Sequence, residues 1–290
     1  MLNRKRFLYL HLTECIRILF VCIATFTALA GCVTNYPKAV MEPPWVPAEP
    51  AGGEGEAEGR PDPDTQVPVY FSSSDLPLID GNFSEWGGLD GPLTRLAVYG
   101  GRHVPEDAEA FFVLRTDGVN LYIYCRASDD ITHENFLPGS MAWRGDTPEL
   151  FFGTALGKHK KYQTGDNQIR LVPRSKENME NVDIVVNQRT VDGYMVSGQE
   201  GAVFGAAAVY SETGYQIEAA IPLSLLSIDA LAPGRKVRLD FQINDADETE
   251  RDRMIHWMSD KDTPWFDPSV WGDGIVVELP DTRKEVPDVL

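Results

Sequence analysis

The feature that most restricts the fold of this chain is an alternation of apolar and other residues with a period of two, which dominates from Val69 onward. In VNLYIYCRA (119–127), Leu, Ile, Cys and Ala take one set of alternate positions, and Tyr, Tyr and Arg take the other. YQIEAAI (215–221) and VRLDFQIND (237–245) repeat the pattern. Because successive side chains of a strand point to opposite faces, this alternation indicates half-buried antiparallel strands.

Turn-forming pairs separate many of the segments, including Asp-Gly at 117–118 and Pro-Gly at 233–234. Helical sequence is confined to one short turn, Pro222–Ile228, which proline opens. About ten or eleven short strands with little helix predict an all-β fold, an antiparallel β-sandwich of the jelly-roll or immunoglobulin-like type. The further predicted strands are Leu93–Val98, Ala110–Arg115, Glu149–Phe152, Gln168–Val172, Val182–Val186, Val203–Tyr210, Met254–Trp257 and Ile275–Leu279.

Residues 1–31 have the composition of a secretory signal peptide. A basic start is followed by an apolar run at 18–30 and by small residues before Cys32. That run is shorter than the roughly 20 residues that a membrane-spanning helix needs. The basic residues are Arg4, Lys5, Arg6 and Arg17.

The signal segment ends in Leu29-Ala30-Gly31-Cys32, which resembles the lipobox of bacterial lipoproteins. The resemblance implies that Cys32 is lipid-modified, becomes the N-terminus, and anchors an extracytoplasmic protein in the bacterial cell envelope. Val33 implies sorting to the outer membrane if the cell is Gram-negative. An ordinary signal peptide and an uncleaved anchor are the alternatives.

Residues 32–68 are predicted to be a disordered tether, because they are rich in Pro, Gly and Glu and almost devoid of aliphatic residues. The folded domain is then 69–282, and 283–290 is a C-terminal tail. Within the domain, Cys125 would have no intrachain partner after cleavage, and its place in a strand favours a small core residue over a reactive thiol.

The charge of the chain excludes two kinds of partner. Removal of residues 1–31, with their four basic residues and Glu14, takes the formal charge from −18 to −21. An acidic surface of this kind argues against nucleic acid and against membrane docking through a basic patch. The lipid would have to anchor the protein alone.

No catalytic signature is present in the sequence. There is no GxSxG elbow, no HExxH helix and no CxxC pair. GTALGKH (153–159) is one residue short of a phosphate loop and lacks the Ser or Thr after Lys158. Paired carboxylates have no diagnostic value among 44 acidic residues. We therefore expect a protein that is not an enzyme.

Polar side chains on the predicted strands raise the question of a binding face. Arg170 alternates with Ile169 and Leu171 and should point away from the core. Gln242 and Asn244 should point outward from their own strand for the same reason. Such a face is most often simply solvated, and its function depends on what lies above it.

Six segments, taken in order, resemble family 9 carbohydrate-binding modules over about residues 76–280. Each alone is weakly specific, and their order carries the resemblance. It implies a β-sandwich that binds sugars without cleaving them, usually as an appendage of secreted glycosidases. The segments are IDGNFSEW (79–86), DGVNLYIYCRASDD (117–130), WRGDTPELFF (143–152), GYQIEAAIPLSLL (214–226), LDFQINDAD (239–247) and HWMSDKDTPWFDPSVWG (256–272).

The resemblance also implies a site in which a sugar lies between two tryptophans. In the family the first tryptophan precedes a Glu by six positions, and an Arg follows on the next strand. Trp143, Glu149 and Arg170 match this arrangement. The ligand would be an oligosaccharide or polysaccharide, with a separate glycosidase as a neighbour.

The second half of the implied site departs from the family. Trp265 matches the second tryptophan, but Asp262 stands where the family has Asn. A carboxylate only accepts hydrogen bonds where an amide also donates, so the sugar specificity is in question. Lys158 is a loose candidate for a rim lysine, and Asn244 is a further candidate for the polar edge.

The chemistry of such a site follows from the residue types. Sugar rings have apolar C–H faces that suit the electron-rich face of an indole. Their hydroxyl edges suit charged donors and acceptors, which form the stronger hydrogen bonds. Trp143 and Trp265 would provide the faces, although each has the alternative of packing against the sandwich. Glu149 has the alternative of a surface pair with Arg170, which would contribute little.

The other tryptophans of the domain and a metal site are also predicted. Trp257 and Trp271 have apolar or glycine neighbours and are interpreted as core, and Trp86 as structural. Family members carry structural calcium, and Asp129 and Asp130 follow a strand, as do Asp245 and Asp247. Carboxylates at loop starts suit Ca²⁺, but a chain this acidic also produces such clusters by chance.

Two other functions remain open at this point. One is a structural or adhesive lipoprotein with a degenerate sugar site, which Asp262 favours. The other is a haem-binding sandwich, for which Met195, Met254 and His256 are the candidate ligands.

Overall fold

Thirteen strands and four short 3₁₀ helices make up the part of the chain that the computed structural model describes. The described residues are 62, 65–101, 104, 108–176, 182–190, 193–197, 205–247 and 250–280, with the backbone alone for 188–190 and 193–197. The 3₁₀ helices are Phe83–Trp86, Gly139–Arg144, Leu223–Leu226 and Pro268–Val270. The strands are β1 (Gln66–Phe71), β2 (Leu96–Tyr99), β3 (Ala108–Thr116), β4 (Asn120–Asp129), β5 (Thr147–Gly153), β6 (Asn167–Pro173), β7 (Val182–Thr190), β8 (Gly193–Ser197), β9 (Gly205–Ser211), β10 (Gly214–Pro222), β11 (Lys236–Asp245), β12 (Arg253–His256) and β13 (Gly272–Glu278).

The all-β class and the scarcity of helix are confirmed, and all eleven predicted strands are present. The sequence missed β1 and β8. β1 begins at Gln66, so the last residues of the predicted tether 32–68 belong to the sheet. Cys32, the signal segment 1–31 and the tail 283–290 lie outside the described residues. None of the described helices is long and apolar enough to cross a membrane.

The predicted wholly antiparallel sandwich is wrong in one respect, because the strands form a single mixed sheet. Their order is β8-β7-β6-β5-β11-β13-β1-β3-β4-β10-β9, and β12 joins β11 to β2. β1 runs parallel to both of its neighbours, β13 and β3. Parallel neighbours need a long crossover connection, and residues 72–107 supply one between β1 and β3. Alternation alone cannot predict this arrangement, since it is the same in parallel and antiparallel strands.

The sheet rolls until its two halves face each other, with β3 opposite β11 and β10 opposite β6. One hydrophobic core fills the space between them. The predicted inward faces of the three alternating segments all contribute to it, including Cys125, which is buried with a free thiol. Burial also raises the pKa of that thiol, so it stays protonated and acts as a small apolar side chain.

The segment Ile79–Trp86 is fastened to the outer face of β10 by one buried carboxylate. Glu218 accepts hydrogen bonds from the backbone N–H groups of Asp80 and Gly81, both at 2.7 Å, and from Trp86 Nε1 at 3.0 Å. Trp86 is buried and stacks on Tyr124 with ring centroids 5.5 Å apart. These contacts give Trp86 a structural role, as predicted.

Candidate functional site

The outer face of β5, β6 and β11 is polar, yet protein covers it. Strand register places Gln242, Glu149 and Arg170 side by side across the three strands. Glu149 is 1% exposed and Arg170 is 7% exposed. These side chains point away from the core, as the alternation predicted, but this face is not simply solvated. Burying so many polar groups is favourable only if they are hydrogen-bonded.

Glu149 is the centre of the network that satisfies them. Its Oε1 accepts from Asn244 Nδ2 at 2.8 Å and from Arg170 Nε at 3.2 Å, and its Oε2 accepts from Gln168 Nε2 at 2.6 Å. Gln168 accepts in turn from Asn187 Nδ2 at 2.9 Å. Three of the predicted site residues, Glu149, Arg170 and Asn244, are therefore in direct contact.

Trp143 lies at the edge of this network, on the 3₁₀ helix Gly139–Arg144, and is partly exposed. Two contacts fix that helix above the sheet. Arg170 Nη1 donates to the carbonyl of Gly139 at 3.3 Å, and Asn135 Nδ2 donates to the carbonyl of Ala142 at 2.8 Å. The short helix thus brings an indole to the rim of the polar face.

Arg251 is the residue of this region that the sequence analysis missed. Its guanidinium lies 4.8 Å from the ring centroid of Trp143 and 5.5 Å from that of Tyr99. Nη1 donates to Asn244 Oδ1 at 2.9 Å, and Nη2 lies 3.7 Å from Asp262 Oδ2. Its side chain is only 6% exposed. Sequence spacing gave no signal for Arg251, because no periodic pattern relates it to Trp143.

Asp262 and Trp265 are carried by the loop 257–271, which is anchored at several points. Asp240 accepts from the backbone N–H groups of Met258 and Ser259 at 2.9 and 3.0 Å. Near the other end, Trp271 Nε1 donates to the carbonyl of Pro264 at 3.1 Å.

Asp262 stands where the family has Asn, and in this structure its carboxylate faces the guanidinium of Arg251. Burial raises the pKa of Asp262, and the nearby guanidinium opposes that shift. Burial likewise lowers the pKa of Arg251, while Asp262 and Glu149 oppose the change. The two groups therefore compensate each other's desolvation.

Trp265 is partly exposed and meets Phe266 edge-on, with ring centroids 4.7 Å apart. Trp265 shares its loop with Asp262, whereas Trp143 contacts Arg251, the partner of Asp262. Trp257 lies in the hydrophobic core, as predicted, whereas Trp271 is buried outside that core, against Phe151 and Tyr162.

Lys158 is exposed in the loop 154–166, which follows β5 at the end away from Trp143. The same loop reaches the one that carries Trp265, since Tyr162 Oη donates to the carbonyl of Pro264 at 3.1 Å. The described contacts do not place Lys158 in the Glu149 network.

His256 lies next to this network on β12, opposite Gln242. It is fully buried, and its Nδ1 lies 3.8 Å from Asp240 Oδ2. Burial, with a smaller contribution from Arg251, lowers the pKa of His256 to about 3. The imidazole is therefore neutral near pH 7. Met254 Sδ accepts from Arg251 Nη1 at 3.2 Å, and the side chain of Met195 lies outside the described residues.

A cluster of aspartates lies at the ends of β4 and β11. Its members form three overlapping groups in which one carboxylate oxygen from each residue lies within 4.8 Å of the others. The predicted Asp129 and Asp130 both belong to it. The groups are Asp129, Asp146 and Asp245; Asp129, Asp130 and Asp247; and Asp245, Asp247 and Asp252.

The electrostatics of this aspartate cluster fit a divalent cation. Asp245 is 1% exposed, and neither of its carboxylate oxygens has a hydrogen-bond partner. Burial and the nearby Asp129 and Asp146 raise the pKa of Asp245 to about 9. Burial is also the main cause of the raised pKa of Asp146. Buried carboxylates are normally paired or bound to metal, and an all-oxygen set suits Ca²⁺.

Comparison with known proteins identifies the family. The model of the family described as carbohydrate family 9 binding domain-like matches residues 79–279. The chain belongs to this family. The match spans most of the domain and includes Trp143, Glu149, Arg170, Arg251, Asp262 and Trp265.

Two solved structures of a family 9 module from Caldicellulosiruptor kristjanssonii are similar to this family 9 chain. The one in complex with cellotriose is 21% identical with a TM-score of 0.55, and covers 77% of this chain and 98% of its own. The one in complex with glucose is 20% identical with a TM-score of 0.55, and covers 75% and 98%. At these identities the likeness shows the fold. No curated protein matches the chain.

Proposed function

We propose that this family 9 chain is a non-catalytic carbohydrate-binding protein whose site is formed by Trp143, Trp265 and the network around Glu149. The observation that carries the proposal is a partly exposed indole fixed beside a buried network of charged and amide groups. Family membership and the bound sugars of the two similar structures support it.

In the proposed site a pyranose would be held between the two indoles. The C–H face of the ring would pack on Trp143, where dispersion and the ring quadrupole favour it. Trp265 would cover the opposite face of the ring. The hydroxyl edge would then meet Asp262 at the rim of the network that Glu149 and Arg170 fix, and the charge of Asp262 would strengthen its hydrogen bonds.

The buried network would lower the entropic cost of binding, because its side chains are already fixed before the ligand arrives. Glu149 accepts three hydrogen bonds from Gln168, Arg170 and Asn244, so its orientation does not depend on the sugar. The bound sugar would therefore order few new side chains.

The choice of ligand class rests on the sugars bound in the two similar structures. Cellotriose and glucose are the sugars held by the similar structures. We infer that a β-linked gluco-oligosaccharide is the ligand to test first. Binding would retain a polysaccharide at the cell envelope beside a separate glycosidase.

The aspartate cluster is proposed to bind structural Ca²⁺. Asp129, Asp146 and Asp245 would hold it at the ends of β4 and β11, with Asp247 and Asp252 beside them. The cation would supply the missing partner of the buried Asp245 oxygens.

The expected result with purified protein is binding of glucose-based oligosaccharides on a glycan array and in isothermal titration with cellotriose. We expect a Kd between about 1 μM and 1 mM, which corresponds to about −8 to −4 kcal/mol. Laminaritriose and mannotriose test the linkage and the sugar. The absence of any hit at millimolar sugar, with or without Ca²⁺, would contradict the proposal.

We further propose that Cys32 is lipidated and anchors the protein on the extracytoplasmic side of the envelope. Cells grown with an alkynyl fatty acid should incorporate the label into the wild-type protein and move it to the membrane fraction. Cys32→Ser should lose both properties, and Cys125→Ser should keep them because Cys125 is buried in the core. Label retained in Cys32→Ser would refute the anchor.

A structural or adhesive role is the second candidate, and one observation favours it. Much of the hydrogen-bonding capacity of the site is already satisfied within the protein, by contacts among Glu149, Arg170, Asn244 and Arg251. Asp262 faces the guanidinium of Arg251. A site that is complete without a ligand can be a stable relic of one. The glycan array separates this candidate from sugar binding.

A further inference from the structure

Arg251 lies between the proposed sugar site and the aspartate cluster. Its guanidinium packs on Trp143 at 4.8 Å, bonds Asn244 at 2.9 Å and faces Asp262 at 3.7 Å. The next residue along the chain, Asp252, belongs to the cluster. Arg251 therefore joins three candidate site residues to a segment that a cation would fix.

Contacts of the connection between β11 and β12 fix the backbone next to Arg251. Its described residues begin with Asp245 to Asp247 and resume at Glu250, and the backbone N–H of Asp252 donates to the carbonyl of Asp245 at 3.0 Å. Gly100 packs so closely on Asp252 that a Cβ at this position would lie 2.2 Å from the Asp252 carbonyl oxygen. The backbone on either side of Arg251 is thus set by the cluster and by β2.

A second contact ties the same connection to the helix that carries Trp143. Arg144 forms an ion pair with Glu250, so two adjacent residues of the helix meet two adjacent residues of the connection. Arg144 is partly exposed and Glu250 is largely exposed, so this surface pair contributes little to stability by itself. The contact between the buried Arg251 side chain and Trp143 holds the connection and the helix together more strongly.

The cluster has a feature that points to a ligand independently of its acidity. Both carboxylate oxygens of Asp245 and Oδ1 of Asp247 are buried without a partner. Asp245, Asp247 and Asp252 each place a carboxylate oxygen within 4.8 Å of the others, so one divalent cation could contact all three. Such a cation would attract the three side chains and hold the two ends of the connection together.

We propose that Arg251 is a positioning residue of the sugar site and that a divalent cation in the aspartate cluster raises sugar affinity through it. The cation draws Asp252 and Asp247 toward Asp245, which fixes Arg251 against Trp143 and Asp262. This inference rests on the proposed function for its effect on sugar. By linkage, bound sugar must raise cation affinity by the same factor.

The first experiment follows Trp143 without any sugar. Ca²⁺ is added to the chelator-treated protein, and the tryptophan emission of wild type is compared with that of Trp143→Phe to isolate the signal of Trp143. We expect a Ca²⁺-dependent change that Arg251→Ala abolishes while calorimetry shows that Ca²⁺ still binds. Arg126→Ala is the matched control, since Arg126 lies 5.8 Å from the ring of Phe111 and is exposed.

The second experiment measures cellotriose affinity with Ca²⁺ and with chelator. We expect about fivefold or greater tightening by Ca²⁺ in wild type, the scale of an ordinary coupling between sites. Arg251→Ala should bind weakly and equally in both conditions. Arg251→Lys should recover only part of the affinity, because lysine keeps the charge but loses the planar stacking.

The outcomes separate this inference from the proposed function. If no sugar binds to any variant, the proposed function fails, and the Trp143 emission alone decides whether Arg251 transmits the state of the cluster. If wild type binds cellotriose equally with and without Ca²⁺, or if Arg251→Ala keeps the Ca²⁺-dependent signal of Trp143, the inference is overturned.

Discussion

Replacing Trp143 with alanine is expected to weaken cellotriose binding by about 30-fold or more, which corresponds to the loss of about 2 kcal/mol typical of a central aromatic contact. The loss follows because the indole supplies the apolar face that a sugar ring needs, and alanine supplies none. Isothermal titration of wild type and variant in the same Ca²⁺ buffer measures the change.

The fold should survive this substitution. Trp143 is partly exposed, and the 3₁₀ helix that carries it stays fixed by Arg170 and Asn135. The variant loses its cation–π contact with Arg251, worth about 0.5–2 kcal/mol. The melting temperature should therefore fall by only a few degrees.

Trp265→Ala should show a similar loss of affinity, because the second indole is proposed to cover the other side of the ring. Leu78→Ala is the control, since Leu78 is 67% exposed and directly precedes the segment Ile79–Trp86, which lies on β10. If both tryptophan variants bind cellotriose as wild type does, the site has been placed on the wrong residues.

Calcium is expected to raise the thermal stability of the wild-type protein strongly. At 100 times its Kd, a cation that binds only the folded state adds about 2.7 kcal/mol. For a domain of this size, that corresponds to a rise in melting temperature of about 5–10 °C. Differential scanning calorimetry with Ca²⁺ and after chelation provides the measurement.

Asp245→Asn should remove most of this response. The substitution eliminates one of the central carboxylates, and in the chelated protein it also removes a buried ionisable group whose oxygens have no hydrogen-bond partner. We therefore expect the metal-free variant to melt no lower than metal-free wild type, while gaining little from Ca²⁺. Asp229→Asn, at an exposed position, should respond to Ca²⁺ as wild type does. A full response in Asp245→Asn would rule out Asp245 as a ligand.

For the polar residues of the outer face, the sequence predicted the direction of the side chains but not their burial. Arg170 and Asn244 were correctly placed on outward faces, because side-chain direction in a strand depends only on position. Their burial could not be predicted, since it depends on the helix Gly139–Arg144, which contacts Arg170, and on Arg251, which contacts Asn244. The Glu149 network is a consequence of strand register, which sets Gln242, Glu149 and Arg170 in one row.

Only some members of the aspartate cluster could be predicted from the sequence. Asp129, Asp130, Asp245 and Asp247 follow strands in the sequence, so their presence at a sheet edge was predictable. Asp146 and Asp252 were not predicted, because only the pairing of β11 with β5 and with β12 brings them beside Asp245.

The sequence by itself determined the all-β class, eleven of the thirteen described strands, the family, and the candidates Trp143, Glu149 and Arg170. These follow from local periodicity and from the order of short motifs. The tertiary structure alone decided that β1 runs parallel to its neighbours, that the polar face is buried, and that Arg251 lies between Trp143 and Asp262. The physical reason is that strand partners and contacts between side chains more than 100 residues apart depend on how the sheet rolls, and alternation within a strand is the same whichever strand lies beside it.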